Sequence, residues 1–310
     1  MILAPALLWL PLGCIDYFVD GKNTTISTQT VTETFTQAPV PGVDVLFVID
    51  STGSMAEEQA GFGAAAGGFV ASLDALGLDY QIGVTSMDVA DEGALLGVPW
   101  ILTPDDEGLA ADLAKNLAVG TGSTPPSAGL DAAALALTDP LGFNIGFRRP
   151  DASLQVVFVS DADDDSGPVL GADPVSAFEA MLSTEASGNG LTARASAVVG
   201  DVPGGCTGTS GTALPGTRYA KVAADSGGTV ASICAGDFSS IAAAIGAGSA
   251  DWQLSFPLQA DPIAGSAKVY VNTVLVESGW VIDDAGPALV FQTAPPPDAL
   301  ISVTYQLSAG

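Results

Sequence analysis

The sequence contains no histidine and only three cysteines, and these absences exclude several kinds of site. Without an imidazole there can be no Ser-His-Asp triad, no Cys-His pair and no His-ligated zinc. Lysine and arginine are also scarce, with eight of them against 35 acidic residues and a net charge of −27. So few bases cannot form the basic patch that neutralises phosphates, which argues against nucleic acid as a partner. Binding to anionic lipid through charge is disfavoured for the same reason.

The chain does have abundant apolar residues, which make up 48% of its 310 positions. That length and composition allow one large domain with its own core and a second, small one. Residues 1–14, MILAPALLWLPLGC, form an apolar run that is shorter than the roughly 20 residues that a membrane-spanning helix needs. The run is typical of a secretory signal peptide.

The end of this run, Leu12-Gly13-Cys14, resembles a bacterial lipobox, in which the cysteine is acylated and becomes the mature N-terminus. The resemblance implies that lipid attached to Cys14 is the chain's only link to the membrane. Ile15 follows, where aspartate would indicate the inner membrane, so the resemblance implies the outer membrane. The alternative is an ordinary secretory signal with an incidental cysteine.

Three further segments follow the signal peptide. Residues 15–42 are rich in Thr, Ser, Gln and Pro, and we expect them to form a tether. Residues 43–248 alternate apolar strands with helical patterns, which predicts an α/β fold with a doubly wound, mostly parallel sheet. Residues 249–310 alternate apolar and polar positions, which predicts a small all-β C-terminal module. The strands predicted for the α/β domain are 43–50, 80–86, 154–160, 191–199 and 228–233.

Asp50 and Asp161 each come directly after an apolar strand, as in DVLFVIDSTGSM for residues 44–55. Parallel sheets bind ligands at the carboxyl ends of their strands, so both aspartates are expected on the same edge. Three chemistries fit an aspartate there. An aspartic protease is disfavoured because two residues separate Asp50 from Gly53 and the pattern is not all-β. A phosphotransferase of the haloacid dehalogenase type is disfavoured because Thr52 stands where its second acid would be. A metal site is the third.

The stretch from Asp50 to Ser54 resembles the Asp-x-Ser-x-Ser motif of von Willebrand factor A domains, with threonine in place of the first motif serine. The segments GSTPPSAGLDAA (122–133) and VVFVSDADDD (156–165) resemble the second and third loops of that family, in the family's order. The resemblance implies a Rossmann-like domain with a metal-ion-dependent adhesion site that holds Mg²⁺, or alternatively Mn²⁺ or Ca²⁺. The ligands that it implies are Asp50, Thr52, Ser54, Thr124 and Asp161.

Such a ligand set has a physical rationale. Hard divalent cations prefer oxygen ligands. Two carboxylates balance the charge of the ion, and hydroxyl groups coordinate it without adding charge, so the ion stays electrophilic towards a carboxylate from a partner. We therefore expect a non-enzymatic, cell-envelope adhesion protein that captures a protein ligand. The alternatives are an envelope scaffold with a structural metal, or a metal-dependent hydrolase with Asp163 or Asp164 as its base.

Two features remain. The acidic run from Asp161 to Asp165 is expected to be a solvated loop, with a second calcium site as the alternative, because it lacks the ligand spacing of an EF-hand. The secreted context favours a disulfide between Cys206 and Cys234 over a pair of free thiols. That bond would fasten a long surface loop to the sheet.

Overall fold

The computed structural model describes residues 15–20, 24–40, 42–124, 127–186, 191–209, 211–283 and 286–308. The chain forms two compact units. One unit spans residues 39–251, and the other joins the chain before residue 39 to the chain after residue 251. The predicted signal peptide, including Cys14, lies outside the described residues.

The secondary structure of the described residues alternates between strands and helices in the middle of the chain and is all β at both ends. In chain order, the strands are β1 (Ile15–Asp20), β2 (Thr24–Thr36), β3 (Gly42–Ile49), β4 (Asp79–Ser86), β5 (Ile101–Leu102), β6 (Ser153–Ser160), β7 (Ala193–Val199), β8 (Cys206–Gly208), β9 (Gly211–Ala213), β10 (Val230–Ser232), β11 (Ser255–Pro257), β12 (Lys268–Val271), β13 (Val274–Val276), β14 (Trp280–Asp283), β15 (Ala288–Phe291) and β16 (Leu300–Ser308). The α-helices are α1 (Ala56–Ala75), α2 (Leu109–Asn116), α3 (Gly129–Thr138), α4 (Pro174–Glu185), α5 (Thr217–Asp225) and α6 (Phe238–Gly248).

The unit of residues 39–251 contains a six-stranded sheet in the order β10-β7-β6-β3-β4-β5. All neighbouring pairs are parallel except β4 and β5, which are antiparallel. Strand β6 is buried along its whole length, and β3 is buried after its first residue. Helices α1, α2 and α6 cover one face of the sheet, and α3, α4 and α5 cover the other. The predicted doubly wound α/β fold is therefore confirmed, with all five predicted strands present to within two residues at each end.

The other unit is all β, as predicted for the C-terminal segment. It contains a five-stranded sheet in the order β1-β2-β16-β12-β13 and a three-stranded sheet in the order β11-β15-β14. Its core includes the buried side chains of Phe256, Val269, Leu289 and Val303. Two of its strands, β1 and β2, precede the α/β unit in the sequence. The all-β module is therefore not formed by residues 249–310 alone.

The structure contradicts the prediction of a tether for residues 24–36. This segment is strand β2, which pairs antiparallel with β16 from Thr28 opposite Ser308 to Thr36 opposite Leu300. Val31 and Phe35 lie on one face of the strand and pack against the core of the all-β unit. The threonines, although polar, are β-branched and favour extended backbone. A Thr-rich segment with two apolar side chains on one face is therefore a strand.

Candidate metal centre

The two aspartates that follow apolar strands lie at the carboxyl ends of neighbouring strands. Strands β3 and β6 pair in parallel with Ile49 opposite Val159, and Asp50 N–H donates to the carbonyl of Val159 at 3.0 Å. Asp161 follows the last residue of β6. The topology therefore brings Asp50 and Asp161 to the same edge of the sheet, as the sequence predicts.

The carboxylate of Asp50 is fully buried and held by three hydrogen bonds. Its Oδ1 accepts from Thr52 N–H at 2.8 Å. Its Oδ2 accepts from the hydroxyls of Ser127 at 3.0 Å and Ser160 at 2.6 Å. Gln59 Nε2 donates to the Asp50 carbonyl at 2.8 Å. Both the side chain and the backbone of Asp50 are thus fixed before any ligand binds.

Thr52, Ser54 and Asp161 form a continuous series of contacts beside Asp50. The hydroxyl oxygens of Thr52 and Ser54 are 3.4 Å apart, and Ser54 hydrogen-bonds the carboxyl group of Asp161. Burial raises the pKa of Asp161, and repulsion from Asp50 adds to that rise, while the hydrogen bond from Ser54 opposes it. The two carboxyl groups are close enough to repel each other, and a bound cation would relieve that repulsion.

The second predicted loop lies against the first. Thr52 and Ser123 form a parallel β-bridge, and the hydroxyls of Ser51 and Ser123 are 2.8 Å apart. Gln59 Nε2 also donates to the carbonyl of Gly120 at 2.8 Å. Thr124 follows Ser123 and is exposed at this edge. Four of the five predicted ligands are therefore joined by contacts, whereas Thr124 is placed beside them by its neighbour and not by a contact of its own.

The oxygen atoms at this edge fit a hard divalent cation. Neighbouring ligands of an octahedral ion are about 3.0 Å apart for Mg²⁺ and about 3.4 Å apart for Ca²⁺, given metal–oxygen distances of about 2.1 and 2.4 Å. The separation of the Thr52 and Ser54 hydroxyls is 3.4 Å, which matches the larger ion and requires a small contraction for the smaller one. In the described part of the chain, no three acidic or cysteine side chains converge on one point. A site at this edge therefore depends on hydroxyl ligands as well as on its two carboxylates.

The prediction of a solvated acidic loop is wrong for Asp164. Asp164 is only 1% exposed, and its carboxylate accepts from Leu130 N–H at 3.1 Å, near the start of α3, and from the Ser166 hydroxyl at 2.7 Å. Asp163 accepts from Arg218 N–H at 2.8 Å, near the start of α5. Carboxylates at helix N-termini satisfy amides that have no partner within the helix. These two acids therefore connect the third loop to two helices.

The predicted disulfide between Cys206 and Cys234 is present, with the two Cα atoms 6.0 Å apart. It joins the first residue of β8, in the short hairpin formed by β8 and β9, to the segment that follows β10. An open cleft of about 390 Å³ lies between this hairpin and the aspartate edge. The residues that line the cleft are Ser54, Glu57, Asp161, Gly208, Thr209, Gly211 and Thr212.

A further acid, Glu58, lies beneath the same hairpin. It is 3% exposed, and its Oε2 has no hydrogen-bond partner among the described residues. Burial raises the pKa of Glu58, and repulsion from Asp161, Glu57 and Asp50 adds to the rise. Nothing in the sequence singles out this residue, because a glutamate in the first turn of a helix is common and the hairpin that packs against it is distant in the chain.

Comparisons with known proteins return only distant similarities. No protein-family profile and no curated protein matches the chain. Among solved structures, a von Willebrand factor type A protein from Catenulispora acidiphila is 14% identical, with 95% of this chain and 67% of that chain covered and a TM-score of 0.42. Proximal thread matrix protein 1 from the mussel byssus, with a zinc-occupied MIDAS motif, is 14% identical, with 72% and 49% covered and a TM-score of 0.43. The pilus adhesin RrgA of Streptococcus pneumoniae is 9% identical, with 97% and 62% covered and a TM-score of 0.36.

These similarities are too weak to assign a family, since every TM-score is below 0.5. The chain also spans only about half of the mussel protein. The site must therefore be interpreted from its own residues.

Three residues that the sequence analysis did not single out support the candidate site. Ser127 and Ser160 orient the Asp50 carboxylate, and Gln59 joins the first loop to the second. Ser160 directly precedes Asp161, and Ser127 belongs to the second predicted loop. Their positions were thus visible in the sequence, but their contacts with Asp50 depend on the fold.

Proposed function

We propose that this chain binds Mg²⁺, with Mn²⁺ or Ca²⁺ as substitutes, through Asp50, Thr52, Ser54, Thr124 and Asp161. The observation that carries the proposal is the convergence of two carboxylates and two hydroxyls at one sheet edge, where the described chain offers no lysine or arginine to pair with either carboxylate. The cation would supply the positive charge that this edge lacks.

We further propose that the bound ion captures a protein ligand through a carboxylate of that ligand. With two carboxylates and neutral hydroxyls around it, a divalent ion is balanced but still attracts an anionic oxygen. The hydroxyl-lined cleft beside the site leaves room for the ligand's chain. Metal-dependent capture fits this arrangement without any chemical step.

The proposed location is the cell envelope, with lipid on Cys14 as the anchor and the outer membrane as the destination. The lipobox-like ending at Cys14 motivates this proposal. Among the described residues, no helix is both long and apolar enough to cross a bilayer.

Calorimetric titration of the full chain with Mg²⁺ and Mn²⁺ tests the metal site. The wild-type protein should bind one ion, and Asp50→Ala should abolish the heat. Asp165→Ala is the matched control, because Asp165 is an exposed acid of the third loop with no role in the proposed site. A wild-type titration without heat and without a shift in melting temperature would refute the proposal.

The two alternatives can be separated by experiment. For a scaffold with a structural metal, capture of partners from envelope extracts would persist in EDTA, whereas metal-dependent capture would be lost. A hydrolase needs a general base, and neither candidate is free to act as one: Asp163 is engaged by Arg218, and Asp164 is buried and hydrogen-bonded to a helix. We therefore propose a binding protein and not an enzyme, and expect no metal-dependent hydrolysis of phosphoester or glycoside substrates.

A further inference from the structure

The hairpin of β8 and β9 is fastened to the α/β unit at both of its ends. At its start, Cys206 is bonded to Cys234, which follows β10. Directly after its second strand, Leu214 N–H donates to the backbone carbonyl of Asp161 at 2.8 Å. The hairpin thus connects the disulfide at one end with a proposed metal ligand at the other.

The backbone of the hairpin also lies directly on its neighbours. A Cβ atom on Gly208 would be 2.2 Å from the carbonyl oxygen of Cys234. Gly211 has a φ of +138°, and a Cβ atom there would be 3.0 Å from Oε1 of Glu58. Glycine is therefore required at 208 by the close approach of the hairpin to Cys234, and it is favoured at 211 by the positive φ. The disulfide and the Leu214 hydrogen bond prevent the hairpin from lifting away.

We propose that the hairpin, anchored by its disulfide to Cys234, is a positioning element of the metal centre, which holds Asp161 through the N–H group of Leu214 directly after it. The affinity for the cation then depends on both the Cys206–Cys234 bond and that N–H group. This inference rests on the proposed function, since it takes Asp161 to be a metal ligand.

Two contacts hold Asp161 in place, one to its carboxyl group and one to its backbone carbonyl. Its carboxyl group is hydrogen-bonded by Ser54, but Ser54 is itself a proposed ligand and cannot hold Asp161 independently of the ion. The bond from Leu214 involves only the backbone and is available with or without metal. Groups that orient a metal ligand from outside the coordination shell typically change affinity by about 10–100-fold when they are removed.

Leu214 offers a clean test because its side chain is 65% exposed. Leu214→Pro removes the N–H donor, whereas Leu214→Ala keeps it and removes the side chain. We expect Mn²⁺ affinity, measured by calorimetry on the full chain, to fall about tenfold in Leu214→Pro and to stay unchanged in Leu214→Ala. The electron paramagnetic resonance spectrum of bound Mn²⁺ should broaden or shift in the proline variant only, which a general loss of stability would not cause.

The double variant Cys206→Ser/Cys234→Ser provides a second, independent perturbation and should also bind Mn²⁺ several-fold more weakly. Circular dichroism in EDTA shows which variants fold. If Leu214→Pro does not fold, the Mn²⁺ affinity of the double cysteine variant tests the inference. Unchanged Mn²⁺ affinity in a folded Leu214→Pro or in the folded cysteine variant would overturn the inference. Failure of the wild-type protein to bind Mn²⁺ would instead overturn the proposed function, and the inference with it.

Discussion

The hydroxyl of Ser160 offers the sharpest test of how the fold prepares the metal centre. It donates to Oδ2 of Asp50 at 2.6 Å and accepts from Ala162 N–H at 3.1 Å, and the residue is fully buried at the end of β6. Ser160→Ala removes both hydrogen bonds with almost no change in volume. A hydrogen bond to a charged group contributes about 1.5–3 kcal/mol and one between neutral groups about 1 kcal/mol. The variant should therefore lose about 3 kcal/mol of unfolding free energy in EDTA.

The same change should weaken metal binding, because the Asp50 carboxylate loses the donor that orients it. We expect about a tenfold loss of Mn²⁺ affinity by calorimetry. Ser249→Ala is the control: Ser249 is also buried, and its hydroxyl donates to the Ile245 carbonyl at 2.8 Å near the end of α6. That variant should lose about 1 kcal/mol and bind Mn²⁺ normally. Unchanged Mn²⁺ affinity in a folded Ser160→Ala protein would contradict the role given to Asp50.

Three further predictions concern other parts of the chain. Burial raises the pKa of Glu58 in the folded protein above its pKa in the unfolded chain. The carboxyl group therefore stabilises the fold at pH values below the unfolded pKa, and this contribution is lost as the pH rises through the folded pKa. In EDTA, Glu58→Gln should be more stable than wild type by about 1–3 kcal/mol at neutral pH and equal to it in acid, whereas Glu57→Gln, an exposed neighbour, should show no such gain. Asp44 is fully buried between two arginines, so Asp44→Asn should cost about 3–5 kcal/mol in urea unfolding while metal affinity stays the same. Cells labelled with an azido fatty acid should show label on the wild-type protein and none on Cys14→Ser; equal labelling of the two would contradict the lipid anchor.

The sheet was predictable because its strands carry their own signal. Near-continuous apolar runs such as those of β3 and β6 are characteristic of strands buried on both faces, and an aspartate after each run fixes the edge on which a site must lie. Strand β5 has no such signal, because a strand of two residues is too short to show an apolar run or an alternating pattern. The antiparallel edge of the sheet was therefore not predicted.

Where the sequence misled, the cause was long-range pairing. Composition alone treats threonine as polar, so the segment of β2 was interpreted as a tether, yet its partner β16 lies more than 260 residues away in the chain. The buried acid at 164 was likewise interpreted as solvated, because nothing local shows that α3 begins beside it. Thr124, a ligand that the resemblance implies, lies five residues before α3 starts, and it is placed at the edge by the contacts of its neighbour Ser123 with Ser51 and Thr52.

The few bases of the α/β unit are distributed in a way that bears on the metal. Arg148, Arg149 and Arg194 all lie near the amino ends of the sheet strands, where their partners include the buried acids Asp44 and Asp251. At the carboxyl ends of the strands, Arg218 forms an ion pair with Asp163 of the third loop. The described structure pairs the buried acids Asp44 and Asp251 with arginine at one end of the sheet and shows no ion pair for Asp50 or Asp161 at the other, so under the proposed function a cation from solution would balance that second end. This difference in charge between the two ends of the sheet supports the proposal of a divalent ion at the site.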